Sequence, residues 1–111
     1  MRLLQIQQVS SEGRTDSFEY ARLENAVRQQ DFTAAMQAVQ PLLEAFGVSG
    51  ESEDLLKYRL LLALNQCSRQ LLSGQEVNDA YLRISGLISA KGKEQATKIV
   101  ACYLEWLLDM A

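Results

Sequence analysis

The chain has 111 residues, is 48% hydrophobic and 23% charged, and carries a formal charge of −3 with no histidine. That length fits one domain with a modest core. The acidic balance and scattered basic residues argue against a nucleic-acid-binding face, and the missing histidine removes Ser-His and Cys-His nucleophile systems and the commonest metal ligand.

No apolar run is long enough to span a bilayer. The start, MRLLQIQQVSSEGR, lacks the long apolar stretch and cleavage site of a signal peptide. The expectation is a cytoplasmic protein with no membrane contact and no direct nucleic-acid contact. Phosphate-loop and dinucleotide-binding fingerprints are absent. Two cysteines without histidine do not build a standard zinc site. The carboxylate pairs Glu53 with Asp54 and Glu76 with Asp79 read as helix capping and solvated faces. Catalysis, a metal and a cofactor are therefore not expected. Cys67 and Cys102 both sit in apolar helical patterns, which predicts two buried, reduced thiols.

Residues 1–15 read as a lead-in and linker, with room for a short strand at 3–9. Residues 16–111 read as a helical bundle domain. Its first helix lies in DSFEYARLENAVRQQ, capped by Asp16 or Ser17, with Phe18 and Ala21 on one apolar edge and Tyr20, Leu23 and Val27 on another. Asp31 caps the second helix. Phe32, Ala35, Met36, Val39, Leu42, Leu43 and Phe46 fall on one face of it, and Gly47 closes it. Pro41 inside this helix predicts a kink more than a break, because the periodicity continues across it.

Glu51, Glu53 and Asp54 suit the start of the third helix. Its apolar residues, including Leu55, Leu56, Leu60, Leu61, Leu62, Leu64, Cys67, Leu71 and Leu72, wrap more than half the circumference. That predicts a helix central to the domain. The fourth puts Val77, Ala80, Tyr81, Ile84, Leu87 and Ile88 on one face and ends at Lys91 and Gly92.

In the last helix Glu94, Lys98, Glu105 and Asp109 form a narrow polar stripe. Ala96, Val100, Tyr103 and Leu107 point to the core. Ile99, Trp106 and Met110 lie on one flank, Leu104 and Leu108 on the other. This apolar arc spans roughly 200°, against about 100° for an ordinary surface helix. The surplus makes Ile99, Leu104, Trp106, Leu108 and Met110 the candidate protein interface. Lys91, Lys93 and Lys98 form the densest basic group and read as a solvated helix junction. The whole predicts an all-α, single small domain of about five antiparallel helices.

The stretch CSRQLLSGQEVNDAYLRISGLI resembles the helical segment that precedes the DNA-binding region in AraC/XylS-type bacterial transcription regulators. Arg69, Leu71, Leu72, Gly74, Ala80, Tyr81, Ser85 and Ile88 carry the likeness. LENAVRQQDFTAAMQAVQPLLEAF is similar to the upstream helical hairpin of those proteins, and ACYLEWLLDM to the helix before their helix-turn-helix units. The resemblance covers roughly residues 19–111. It implies a fragment, with a sensor part before Met1 and DNA-binding units after Ala111. The implied role is a non-catalytic regulatory or dimerisation domain that links sensing to DNA binding, partnered by a second copy or by adjacent domains. The alternative is a stand-alone helical adaptor or chaperone that holds another protein's helix.

Overall fold

The computed structural model describes residues 17–110. Among them it contains five α-helices, one 3-10 turn and no strand. The helices are α1 (Tyr20–Arg28), α2 (Phe32–Glu44), α3 (Glu53–Leu71), α4 (Gln75–Ile84) and α5 (Gly92–Met110). The short strand expected at 3–9 and the candidate cap Asp16 lie outside the described residues.

Local chemistry explains most boundaries. Asp31 accepts the Ala34 N–H at 3.1 Å and caps α2. Ser52 accepts the Leu55 N–H at 3.3 Å, and Glu53 and Asp54 place negative charge in the first turn of α3. The start of α1 differs from expectation. The helix begins at Tyr20, with Glu19 at the cap position and no side-chain cap bond there. Pro41 lies inside α2, which runs on to Glu44. Gln37 opposite is exposed, so water can reach the carbonyl that Pro41 leaves without a donor.

The turn between α1 and α2 is a Schellman motif. Asp31 N–H bonds the Ala26 carbonyl and Gln30 N–H bonds the Val27 carbonyl, each at 2.9 Å. The left-handed position, usually glycine, is filled by Gln30 at φ 57°. A side-chain bond accompanies that unusual choice: Gln30 Nε2 donates to the Leu108 carbonyl at 3.1 Å. Leu108 lies in the last turn of α5, where carbonyls lack helical donors. The turn thus ties the front hairpin to the end of the last helix.

Helices α3 and α5 each touch every other element. The core between them contains Leu23, Val27, Val39, Leu42, Leu60, Leu64, Val100, Leu104 and Leu107, all fully buried. Yet α3 is not enclosed. Leu55, Tyr58 and Leu62 form an exposed edge on it, so α3 is central in its contacts, as expected, but is not covered on every side.

The fourth segment also departs from its reading. After Ile84 the chain tightens into a 3-10 turn, Ser85–Ser89. Three residues per turn align side chains at every third position. Ile84, Leu87 and Ala90 are therefore buried together, while Ile88 is 62% exposed. Ser85 Oγ donates to the Leu82 carbonyl at 2.7 Å and supports the tightened turn. An added methyl at Gly86 would meet only Ile99 Cδ1, at 3.9 Å, an ordinary contact. Gly86→Ala should therefore raise stability by about 0.4–1 kcal/mol, through a stiffer unfolded chain. A thermal melt should show a rise of a few degrees; a drop would mean that the turn needs glycine.

Candidate functional site

The polar stripe of α5 explains what it exposes. Lys98, Cys102, Glu105 and Asp109 recur at spacings of four, three and four, so they share one solvent-facing line. Cys102 is exposed and free, which corrects the expectation of two buried thiols. Its neighbours Ala101 and Tyr103 are apolar, but its partners one turn away are charged, and the turn decides.

The five interface candidates on α5 separate. Leu104 is fully buried and Leu108 nearly so, both within the domain's own core. Neither is available to a partner in this fold. Ile99 and Trp106 are half-buried, and Met110 is 37% exposed. The Trp106 ring is covered from α4: the Arg83 guanidinium lies 4.6 Å from its centroid. Such a contact contributes roughly 0.5–2 kcal/mol. The Tyr103 ring sits 6.0 Å away, tilted by 41°. Tyr103 in turn donates its hydroxyl to the Leu64 carbonyl at 3.2 Å, pinning α5 to α3. Burial pushes the Tyr103 phenol up to about 12.

Between α4 and α5 this packing leaves a groove of about 290 Å³, lined by Arg83, Lys98, Ile99, Cys102 and Tyr103. Lys93 lines a different space of about 210 Å³, against Met36, Leu43 and Glu44. The basic group read as one junction is therefore divided between two places. Arg83, which lies outside that group in sequence, is the residue that joins Lys98.

A second surface is the edge of α3. Leu55 and Tyr58 are each 57% exposed and Leu62 is 49% exposed. Their spacings of three and four make them one stripe. Leu62 also borders a shallow depression with Asn65, Gln66, Arg69 and Gln70. On α4 and the 3-10 turn, Tyr81, Leu82 and Ile88 are exposed as well.

Polar groups, from exposed to buried, gather where α1 meets α3. Arg28 bonds Glu24 at 2.6 Å. Among the described residues no group lies in hydrogen-bond geometry to the buried Tyr20 hydroxyl, though the Glu24 carboxylate is near, and the phenol's ionisation is displaced strongly upward, chiefly by burial. Cys67 is fully buried, and burial first, then the Glu24 carboxylate, push its thiol up to about 12. A thiol held neutral in this way is a poor nucleophile and a poor metal ligand. Among the described residues no three Cys, Asp or Glu side chains are grouped to hold a metal ion, and no helix is long and apolar enough to cross a membrane.

No protein-family model, no curated protein and no solved structure matches this chain.

Proposed function

We propose that this chain is a non-catalytic regulatory domain that pairs with a second copy through the exposed edge of α3. The observation that carries the reading is the stripe of Leu55, Tyr58 and Leu62. Exposed apolar residues in helical register usually mark a contact site. A two-fold axis at Leu62 would lay two α3 helices antiparallel. Leu55 and Arg69 then stand equally far from the axis, each about 10 Å along the helix. Arg69 of the second copy would meet the exposed acidic Asp54 beside Leu55, twice per pair.

The setting we propose for the pair is a bacterial transcription regulator of the AraC/XylS type, with the domain between sensing and DNA-binding parts. That setting is supported by the likeness of residues 19–111 alone. The pairing stands on the α3 edge and does not need it.

Sedimentation velocity tests the pairing. The parent should be a dimer, and Leu62→Glu should be a folded monomer with unchanged helical signal. Asp54→Arg and Arg69→Asp should each weaken the dimer, and the double variant should restore it, which a merely structural role would not do. A monomeric parent at the highest attainable concentration, or a double variant no better than either single one, would overturn the pairing.

A further inference from the structure

We infer that the groove between α4 and α5 binds a small organic anion with an apolar body. Its charged lining residues are Arg83 and Lys98, both positive. Among the described residues neither has a carboxylate within 4.0 Å. Two cations without a salt-bridged carboxylate line one groove, in a chain of net charge −3. The Trp106 ring, 4.6 Å from the Arg83 guanidinium, restrains that group before any ligand arrives. A planar fork restrained in this way suits a carboxylate, and Lys98 supplies a second charge-assisted donor.

The rest of the lining is apolar or weakly polar: Ile99, the Tyr103 ring and the Cys102 thiol. These surfaces would take the hydrocarbon part of the ligand. A volume of about 290 Å³ lies just below the usual range of small-molecule sites and suits only a compact acid. A free phosphate would leave Ile99 and Tyr103 without contact, which is why an apolar body is specified. The inference is independent of pairing through α3.

The site carries its own reporters. Trp106 is the only tryptophan. Cys102 is the exposed thiol, while Cys67 is fully buried with its thiol pushed up, so native labelling reads Cys102. The experiment titrates the full chain with benzoate and with octanoate, and with benzyl alcohol and octanol as uncharged matches. Tryptophan emission should change saturably with at least one acid. The alcohols should bind at least roughly ten-fold more weakly, as expected for loss of a charged hydrogen bond. The bound acid should slow labelling of Cys102. Arg83→Gln and Lys98→Gln should each weaken binding by roughly ten-fold. Lys98 is exposed, so its variant keeps the fold even if the Arg83 variant does not. Absence of a saturable change with both acids, equal binding of the alcohols, or undiminished binding by Lys98→Gln would overturn the inference.

Discussion

Leu104→Ala should destabilise the domain by roughly 2–5 kcal/mol, the usual cost of emptying a buried leucine site. Leu104 is fully buried on α5, the helix that, like α3, touches every other element. Its neighbours cannot all collapse into the gap at once. Domains of this size have total stabilities of about 5–15 kcal/mol, so the change removes a large share. Leu104→Glu should abolish folding, because it puts a carboxylate into the fully buried apolar core. Ile99→Ala, on the half-buried flank, should cost less than half as much as Leu104→Ala. Urea unfolding followed by far-UV dichroism measures all three. A Leu104→Glu protein that stays folded and merely changes oligomeric state would place that flank at an interface and refute its assignment to the core.

Stability should fall steeply in alkali, and Cys67 should begin the fall. Its thiol moves from 9.0 to about 12 on folding, and the Tyr103 phenol from 10.0 to about 12. Both groups are folded in their neutral form. Below pH 9 both states hold both protons, so these groups give no slope. Between 9 and 12 the unfolded chain releases protons that the folded chain keeps, and stability drops with each step. The Cys67 part amounts to at most about 4 kcal/mol, taking 1.36 kcal/mol per pH unit. Cys67→Ala should delay the onset to near pH 10, where Tyr103 and Tyr20 take over. Urea midpoints at pH 8, 9.5 and 11 compare the two proteins. Parallel profiles would show that Cys67 contributes nothing.

The sequence shows the core of α5 well. Ala96, Val100, Tyr103 and Leu107 were placed by spacing from Lys98, and all are buried. The same spacing contained the answer for Cys102, which falls on the line of Lys98, Glu105 and Asp109. Its apolar sequence neighbours outweighed that signal. The Asp31 cap and most of the α2 face were equally readable, although Phe32 ends 36% exposed at the first turn. What could not be read was longer in range. Nothing local tells whether Leu104 or Ile99 faces a neighbouring helix. Nothing links Arg83 to Trp106 before the fold does. The α3 edge was visible as a surplus of leucines, but which of them stay in water depends on how many helices surround it.

The 3-10 turn at Ser85–Ser89 has a mechanical meaning. Each of its five residues advances about 2.0 Å and turns about 120°, against about 1.5 Å and 100° in an α-helix. Rewinding the turn as α-helix would shorten it by about 2.5 Å and rotate one end by about 100° relative to the other. The joint is therefore a screw, in which travel along the axis and rotation about it are locked together. At the α4 end of the turn, Arg83 lies 4.6 Å from the Trp106 ring of α5. At its other end the Lys57 ammonium of α3 lies 3.5 Å from the Ile88 carbonyl, a long, exposed contact.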